Sequence, residues 1–415
     1  MKKISCSLNR VRDRFLALTL QKPHVLWLDS DSTDDPYGIY QWIGFAADLN
    51  AKTHINPQTT PDPQYWWAGG IGYEWRTSLE PTLSSQNPSP VPFPPVFFFQ
   101  PEVVIYQLRN DSQIYILADS PEDWLLQLSE VIPLEPEPIS QPQKIISFPS
   151  KDKYLDNILK IQNWIKEGEV YELNYCRYLG WKETISYPEK AYLHWQKKGS
   201  TPFSAYFKTT FGSWLCKSPE RFLAIRNQQI ISQPIKGTIA RSESSEMDID
   251  QAEKLRNSPK DRAENVMIVD LVRNDFNRVC VPGTVKVPEL FGIYPFAQLY
   301  HMISTVTGQL EPGKNVWNAL QAAFPPGSMT GAPKISSMDR IEEIEPAGRG
   351  LFSGTIGYLN PNGTADFNVV IRTLAIGETE VVYFTGGAIT YDSIALEEWE
   401  ETETKALALQ ALWTP

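Results

Sequence analysis

The chain has 415 residues, of which 42% are hydrophobic and 21% charged, and its formal net charge is −11. No apolar run approaches the roughly 20 residues that a membrane-spanning helix needs, and the acidic balance gives no electrostatic reason to expect nucleic acid. These values predict a soluble protein that acts on small molecules or binds other proteins, and an anionic substrate would need local cations.

The amino terminus and the cysteines predict a cytoplasmic protein. Charged residues are interspersed among the apolar residues after Met1, so the start lacks the apolar core of a signal peptide. The four cysteines are Cys6, Cys176, Cys216 and Cys280. Their wide separation fits neither a disulfide framework nor a zinc site, so we expect them to be reduced and structural.

Two proline-rich stretches punctuate the first part of the chain. Residues 88–95 and 133–142 predict extended connectors. The apolar spacing over 154–168 predicts a helix that stops at a glycine. We therefore predict an amino-terminal sheet-forming lobe over 1–146 and a catalytic domain over 147–415.

The catalytic region mixes strand and helix patterns without the strict alternation of a parallel α/β fold. The predicted strands, which are typical of antiparallel hairpins, cover 222–225, 230–235, 351–359, 367–375 and 381–384. The predicted helices cover 250–257, 262–273, 316–323, 334–344 and 396–412. The predicted fold class is α+β with large antiparallel sheets.

The segment Pro-Ile-Lys-Gly-Thr, residues 234–238, places Lys236 between a strand and a glycine turn, sixteen residues after Glu220. If the preceding hairpin turns at Gln228, Glu220 and Lys236 face each other, whereas a slip of one residue removes this facing. A lysine whose pKa is lowered can act as a nucleophile, and a nearby carboxyl group can protonate a departing hydroxyl. The simpler alternative is a solvated lysine on an edge strand, which Pro234 would suit.

Two predicted helices each carry a pair of carboxylates. Asp261 and Glu264 lie three residues apart in one helix, and Glu398 and Glu401 have the same spacing in the last helix, which continues to Lys405. A single pair of this kind usually belongs to a solvated helix face. If both pairs converge on one cleft, their repulsion requires a cation, and a site of hard oxygen ligands suits Mg²⁺.

Three further features bear on substrate binding. The hydroxyls and small residues of the loop 326–334 favour an anion site before a helix, although a tight turn explains them equally well. The spacing is not that of a nucleotide-binding P-loop. Arg372 lies in an apolar segment, where burial requires an anion, either a substrate carboxylate or a structural partner. His301 fits no ligand pattern and, by itself, is more often a hydrogen-bonded core histidine.

Together these motifs resemble the chorismate-utilising enzymes over about 147–412. That family includes component I of anthranilate synthase, component I of aminodeoxychorismate synthase, and the isochorismate and salicylate synthases. The resemblance implies a composite sandwich of large antiparallel sheets with helices outside. It also implies that Glu264 and Glu401 bind Mg²⁺, with Asp261 and Glu398 beside them, and that the metal holds the ring carboxylate of chorismate.

The resemblance assigns the other site residues as well. Lys236, Glu220 and His301 are implied to be catalytic, with His301 near the leaving group. The residues implied to bind substrate are Gly237, Thr238, Ser328, Thr330, Phe352, Arg372, Gly386, Gly387 and Lys405. Phe352 stands where the family usually has a tyrosine, so a hydroxyl that would hydrogen-bond the substrate is absent. Ala388 stands where the family usually has a glycine, and Glu172 where it usually has a glutamine.

Lys236 selects a branch of the family, because anthranilate and isochorismate synthases usually have alanine there, whereas aminodeoxychorismate synthases have the same lysine. This resemblance implies that Lys236 attacks C2 of chorismate while Glu220 helps to expel the C4 hydroxyl. Ammonia then adds at C4 and gives 4-amino-4-deoxychorismate, a precursor of p-aminobenzoate and folate. Relatives that add water usually have a lysine at the position of Glu172, which favours ammonia here.

The source of ammonia and two alternatives complete the prediction. No cysteine lies in the Gly-x-Cys-x-Gly turn of a class I glutaminase, so a separate glutaminase subunit is implied. One alternative is anthranilate synthase component I of tryptophan biosynthesis, and another is a non-catalytic partner or amino-acid sensor of the same fold. Segments 25–30 and 40–45 resemble the sheet where anthranilate synthases hold tryptophan, but plain aromatic packing is the simpler interpretation.

Overall fold

The computed structural model describes residues 1–30, 35–183, 185–199, 201–242, 244–296 and 299–414. In chain order, the strands are β1 (Lys2–Cys6), β2 (His24–Asp29), β3 (Tyr40–Ala47), β4 (Thr53–His54), β5 (Trp67–Ile71), β6 (Val96–Phe99), β7 (Val103–Leu108), β8 (Ile114–Ala118), β9 (Ile146–Phe148), β10 (Glu172–Trp181), β11 (Phe203–Thr209), β12 (Gly212–Ser218), β13 (Arg221–Arg226), β14 (Gln229–Gln233), β15 (Ile235–Ala240), β16 (Lys286–Pro295), β17 (Leu299–Gln309), β18 (Gly331–Ala332), β19 (Thr355–Leu359), β20 (Ala365–Asn368), β21 (Thr373–Ile376) and β22 (Val381–Ile389). The helices are α1 (Val11–Leu18), α2 (Arg76–Leu79), α3 (Pro121–Glu130), α4 (Lys151–Lys166), α5 (Pro188–Lys197), α6 (Ser245–Asn257), α7 (Pro259–Asn277), α8 (Val316–Ala323), α9 (Lys334–Ile344), α10 (Ala395–Ala406) and α11 (Gln410–Trp413).

The strands form two large sheets. One sheet has twelve strands in the order β1-β8-β7-β3-β2-β11-β12-β21-β22-β10-β18, with β9 paired to β10. The other has ten strands in the order β15-β17-β14-β13-β20-β19-β5-β6-β4, with β16 paired to β17. Every pairing between described strands is antiparallel.

An apolar core joins the two sheets into a sandwich. Phe45 of the twelve-stranded sheet lies 6.0 Å from Tyr358 of the ten-stranded sheet, and Tyr40 lies 5.6 Å from the same ring, measured between centroids. Large aromatic side chains fill this space because two facing sheets are about 10 Å apart. The segments 25–30 and 40–45 lie largely in β2 and β3, where Trp27 stacks on Trp42. A tryptophan site at these strands stays a prediction.

Helices cover the outside of the sandwich. Apolar residues of α1, α3, α5 and α11 form a second cluster with the twelve-stranded sheet, and α4, α9 and α10 form a third with β10 and β22. The arrangement confirms the predicted α+β class with large antiparallel sheets. None of the helices in the described ranges combines the length and apolarity required to cross a bilayer.

Both sheets contain strands from either side of residue 146. Strand β2 pairs with β11 in one sheet, and β5 pairs with β19 in the other. The division into 1–146 and 147–415 stays a prediction, and main-chain hydrogen bonds join its two parts along two strand pairs.

The hairpin that was expected to set Glu220 opposite Lys236 has a different register. Its turn is the two-residue pair Asn227 and Gln228, with φ of 50° and 63°, and Arg226 pairs with Gln229. Positive φ at both central residues is typical of the tight type I′ turn. The centre of this turn lies between Asn227 and Gln228 and not on Gln228 itself. A bulge in β13 shifts the register again. The prediction of a directly facing pair was therefore wrong, although the two side chains still interact.

Two other predicted elements also differ from the structure. The strand predicted over 367–375 is two strands, because the chain leaves β20 in one sheet, crosses at 369–372 and enters β21 in the other. The helix predicted over 396–412 ends at Ala406 and is followed by a separate turn and α11. The predicted helix over 262–273 is part of the longer α7, where Ser258 caps the first turn by accepting a hydrogen bond from the Asp261 amide.

Candidate active site

Lys236 lies at a bulge in β15. The pairing with β17 shifts between Ile235 and Thr238, and Gly237 adopts a φ of 91° that favours glycine. A Cβ at Gly237 would also lie 3.0 Å from the Cβ of Asp261 in α7, so only glycine permits this close approach. The bulge turns the lysine inward, and its side chain is 10% exposed, so it is not a solvated edge lysine.

The ammonium of Lys236 is held by a residue that the sequence did not identify as its partner. Its Nζ donates a hydrogen bond of 2.7 Å to Oε1 of Glu172, the first residue of β10. Burial alone would lower the pKa of Lys236, but the charges of Glu172, Glu264 and Glu220 outweigh it and raise that pKa. The lowered pKa expected of a resting nucleophile is therefore absent.

Glu220 is a buried acid beside this lysine. Its side chain accepts a hydrogen bond of 2.7 Å from the Ser328 hydroxyl. Burial raises its pKa to about 7, although the Ser328 hydrogen bond and the Lys236 charge act in the opposite direction. A carboxyl group with this pKa is protonated in about half of the molecules at pH 7, so its acid form is available as a proton donor.

Asp261 and Glu264 lie in the first two turns of α7. Burial raises the pKa of Glu264 to about 7, and the Glu172 charge adds to this effect against the lowering charge of Lys236. The Oε1 atom of Glu264 is buried and has no hydrogen-bond partner within the described structure. An unpaired buried carboxylate oxygen is costly, so this atom fits a site for a cation or a donor.

Glu398 and Glu401 form the second pair, on α10. The Ser393 hydroxyl donates to Glu398 at 2.7 Å, and Lys405 lies 2.7 Å from Oε1 of Glu401. Burial raises the pKa of Glu398, whereas for Glu401 burial is outweighed by Lys405 and the pKa is lowered. Glu398 is buried, but Glu401 is half-exposed.

The two carboxylate pairs lie within electrostatic reach of the same cations. The charge of Lys260, at the start of α7, lowers the pKa of Glu264, Glu398 and Glu401. Lys236 acts on both Glu264 and Glu401 in the same way. Within the described ranges, however, no three histidine, cysteine or carboxylate side chains come close enough to share one metal ion. The carboxylate oxygens of these four residues are hard donors of the kind that Mg²⁺ prefers, and a Mg²⁺ site here stays a prediction.

Arg372 lies where the chain crosses between the sheets and has a φ of 50°. Its guanidinium makes no hydrogen bond or ion pair with any described side chain, so the structural partner considered from the sequence is not found in that part of the chain. Burial lowers the pKa of Arg372, while the groups of Tyr383 and Glu220 oppose that change. A half-buried arginine without such a partner suits an anionic ligand.

His301 belongs to β17 and is buried beside Thr238. Its Nδ1 lies 2.9 Å from the Thr238 hydroxyl oxygen, and its ring packs against Phe296 with 4.8 Å between centroids. Burial, together with the Arg372 charge, lowers the pKa of His301 to about 3. The histidine is therefore neutral near neutral pH, which matches the hydrogen-bonded core histidine considered above.

The hydroxyls of the loop 326–334 are used within the protein. Ser328 bonds to Glu220, and Thr330, which is fully buried, donates to the Gly327 carbonyl at 3.2 Å. Lys334, at the start of α9, donates to Asp275 at 2.6 Å. This loop therefore supports the acid, and its direct contact with substrate stays a prediction.

The remaining predicted binding residues lie along β22 and its neighbours. Phe352 stacks on Phe384 with 4.7 Å between ring centroids. The Gly386 carbonyl accepts a hydrogen bond of 2.7 Å from Lys405. A Cβ at Gly387 would lie 3.3 Å from Glu398 Oε2 and 3.7 Å from Glu401 Oε1, so Gly387 leaves space beside these carboxylates.

Glu172 is the functional candidate whose pairing the sequence did not reveal. It is 64 residues from Lys236 in the chain, and a lone glutamate at a strand start carries no periodic signal. The sequence gives no signal for Lys260 either, because exposed lysines are common in the first turn of a helix. Glu172 and Lys260 can be recognised as site residues only from the fold, in which β10, β15 and α7 come together.

Comparison with known proteins indicates one family. The matching family model is that of chorismate binding enzymes, and it covers residues 13–411. Aminodeoxychorismate synthase component 1 from Klebsiella aerogenes is 42% identical over 259 residues, which are 62% of this chain and 56% of that protein. An anthranilate synthase component I-like protein from Synechocystis sp. is 33% identical over 350 residues, 83% of this chain and 72% of that protein. The chain thus spans little more than half the length of the Klebsiella relative.

Two solved structures share the fold at low sequence identity. Anthranilate synthase component I from Streptococcus pneumoniae aligns with a TM-score of 0.74 at 22% identity, covering 99% of this chain and 92% of that one. The menaquinone-specific isochorismate synthase from Escherichia coli aligns with a TM-score of 0.79 at 16% identity, covering 100% of this chain and 94% of that one. At these identities the likeness concerns the fold alone.

Proposed function

The chain belongs to the family of chorismate binding enzymes, and from this premise we propose that it aminates chorismate at C4 to give 4-amino-4-deoxychorismate. The observation that carries the proposal is the buried pair formed by Lys236 and Glu220. An amine that can form a bond to carbon lies beside a carboxyl group whose raised pKa, about 7, leaves its acid form well populated near neutral pH. Relatives named aminodeoxychorismate synthase component 1 support the same reaction class.

In the proposed reaction, Lys236 forms a bond to C2 of the ring while the C4 hydroxyl departs with the proton of Glu220. Ammonia then adds at C4, and the bond to Lys236 breaks. Burial excludes water from the amine and strengthens its interactions with the surrounding carboxylates. Arg372, which has no partner among the described side chains, is proposed to bind a carboxylate of the substrate. His301 remains neutral and is proposed to lie near the leaving group.

Mg²⁺ is proposed to be held by Glu264 and Glu401, with Asp261 and Glu398 beside them. Three observations support this choice: the donors are all hard oxygens, Glu264 has a buried oxygen without a partner, and Gly387 leaves space beside the carboxylates of α10. When bound, Mg²⁺ supplies positive charge that attracts the oxygens of a carboxylate substrate. The protein side chains orient that substrate towards Lys236.

A separate class I glutaminase is proposed to supply the ammonia. The names of the bacterial relatives include "component 1", which supports a second component. The compartment and the pathway to p-aminobenzoate and folate remain predictions. Free cysteines at positions 6, 176, 216 and 280 support a reducing cytoplasm.

Product analysis tests the proposal. The chain with chorismate, Mg²⁺ and ammonium chloride is expected to form 4-amino-4-deoxychorismate, detected by mass spectrometry and converted to p-aminobenzoate by an added lyase. Fluorescent anthranilate formed without a lyase would instead establish the anthranilate synthase alternative. No turnover together with tryptophan binding would favour the amino-acid sensor.

The Lys236→Ala variant tests the covalent role. We expect it to lose amination, and an unchanged rate would exclude a bond between the lysine and the substrate. Because this change leaves Glu172 buried without its counter-charge, it is expected to cost about 3–5 kcal/mol of stability. Thermal unfolding of the variant therefore has to be measured alongside its rate.

A further inference from the structure

The carboxylate of Glu172 is a buried ionisable group next to Lys236 that the proposed reaction leaves without a task. The residue is 1% exposed, and Oε1 accepts the 2.7 Å hydrogen bond from Lys236. Its second oxygen, Oε2, is buried and has no hydrogen-bond partner among the described atoms. Burying a carboxylate with one unpaired oxygen is unfavourable, so a purely structural role explains this arrangement poorly.

Lys236 in its resting state is in the wrong protonation state for attack. An ammonium has no lone pair, and the surrounding carboxylates favour the ammonium over the free amine. A proton must therefore leave Nζ before a bond to carbon can form. The acceptor of that proton has to lie within hydrogen-bond reach of Nζ.

The groups that face Lys236 differ in their suitability as acceptors. Glu220 and Glu264 act on the lysine through their charges, and Glu401 is affected by it in turn, but no hydrogen bond joins any of them to Nζ within the described structure. Glu220 must also keep its proton for the departing hydroxyl. Glu172 alone among these carboxylates touches the amine.

We propose that Glu172 positions Lys236 and accepts its proton before the lysine attacks the substrate. The inference rests on the proposed amination of chorismate. An N–H bond of Lys236 breaks and an O–H bond forms on Glu172, which leaves the Nζ lone pair free. That pair forms the bond to C2, the C4–O bond breaks, and the proton of Glu220 completes the departing water.

The second half of the reaction restores both groups. When ammonia adds at C4, the C2–N bond breaks and its electrons return to Nζ, so that Lys236 leaves as a neutral amine. Glu172 then returns its proton to Nζ, which restores the ammonium and the carboxylate. The new C4 ammonium gives a proton back to Glu220. During the intermediate stage, Oε2 of Glu172 is available to accept an N–H of the substituted lysine. The net change is chorismate plus ammonia to amino-product plus water.

The Glu172→Gln variant tests this role. Glutamine keeps the shape and can still accept a hydrogen bond from Lys236, but it cannot take the proton. With chorismate, Mg²⁺ and ammonium chloride, we expect kcat to fall by about 10²-fold or more while KM for chorismate changes little. Glu172→Asp keeps a proton acceptor and is expected to retain more turnover than Gln. Glu167→Gln, at an exposed position after α4, is the matched control.

A second measurement needs no turnover. Brief labelling with acetic anhydride at a fixed alkaline pH, followed by peptide mass spectrometry, reports how much of Lys236 is free amine. Removing the Glu172 charge should make Lys236 label faster. Faster labelling together with slower turnover is the expected result, because more free amine alone would speed the reaction. Faster labelling with unchanged or faster turnover would overturn the proposal, and so would unchanged labelling.

These experiments separate the inference from the proposed function. If the wild-type chain forms no amino-product, the proposed function fails. The proton-acceptor role of Glu172 then fails as well, even if the labelling experiment detects its ion pair with Lys236. If the wild type and Glu172→Gln aminate equally well, the function stands and only the role of Glu172 is lost. Thermal unfolding of each variant confirms that the folded protein is compared.

Discussion

Glu220 shows how burial decides the chemistry of a single residue. The same side chain on a surface would be ionised near neutral pH and could donate no proton. Here desolvation raises its pKa to about 7, and the hydrogen bond from Ser328 fixes the orientation of the carboxyl group. Lys236, two residues beyond Pro234, brings a positive charge close enough to limit that rise.

The Glu220→Gln variant should separate proton donation from substrate placement. Glutamine can still accept the Ser328 hydrogen bond but has no acidic proton, so we expect kcat to fall by about 10²- to 10⁴-fold. The wild-type rate should decline as pH rises through about 7, because Glu220 then loses its proton. Glu264, whose pKa is also about 7, should have the opposite effect, since its ionised form binds a cation better. If the rate of the Glu220→Gln variant declines with pH as the wild-type rate does, Glu220 is not the source of the decline.

His301 should make the stability of the folded protein depend on pH. Its pKa falls from 6.5 to about 3 on folding, so between these values the unfolded chain binds a proton that the folded chain does not. Stability contributed by the neutral histidine is therefore present above pH 6.5 and is lost as pH falls towards 3, by at most about 1.4 kcal/mol per pH unit. Urea unfolding of wild type and His301→Gln across this range measures it. Equal pH dependence in the two proteins would contradict the buried neutral histidine.

The residue types of the site were predictable, but their partners were not. Lys236, Glu220 and the two carboxylate pairs stand out because each lies in a motif with a distinct spacing. Their pKa values depend on contacts with residues far away in the chain, of which the Glu172 pair is the example. The direction of the Lys236 shift was therefore not accessible from local sequence.

At the scale of elements, departures from regular structure place the site. The bulge at Lys236 and Gly237 turns the lysine inward, and the crossing at 369–372 carries Arg372 from one sheet to the other. Sequence patterns predicted the existence of most strands and helices. They could not show the crossing, because an apolar run of nine residues has the same appearance in one sheet as in two. The hairpin register failed for a similar reason, since a one-residue difference in the turn reverses which side chains face each other.

Two neighbouring glycines of β22 should respond differently to the same substitution. A Cβ at Gly386 would lie 2.4 Å from the Tyr175 carbonyl oxygen, so the strands must separate and Gly386→Ala should cost about 1–3 kcal/mol in stability. At Gly387 the added carbon meets the ends of the Glu398 and Glu401 side chains, which can move. Gly387→Ala should therefore keep most of its stability but require more Mg²⁺ for half-maximal rate. Urea unfolding and Mg²⁺ titration measure the two effects, and a reversed order would contradict the packing.

At the scale of the whole molecule, the two sheets share strands from the entire chain. The twelve-stranded sheet places β2 between β3 and β11, and the ten-stranded sheet places β5 beside β19. The common core then holds aromatic residues from both ends of the sequence. The catalytic motifs all lie after residue 147, yet the sheets that carry them are completed by strands from before it.

This interleaving predicts that residues 147–415 cannot fold alone. Without the first 146 residues, β11 and β19 would each lose one of their two hydrogen-bonded neighbours, and the apolar face between the sheets would be exposed. We expect the fragment to aggregate or lack a cooperative unfolding transition, whereas the whole chain unfolds in one step. Co-expression of fragments 1–139 and 140–415, divided within the proline-rich connector, is the control and should restore a folded complex. A 147–415 fragment with a sharp transition would show that the carboxyl-terminal part forms an independent domain, because its sheets would then tolerate two open edges.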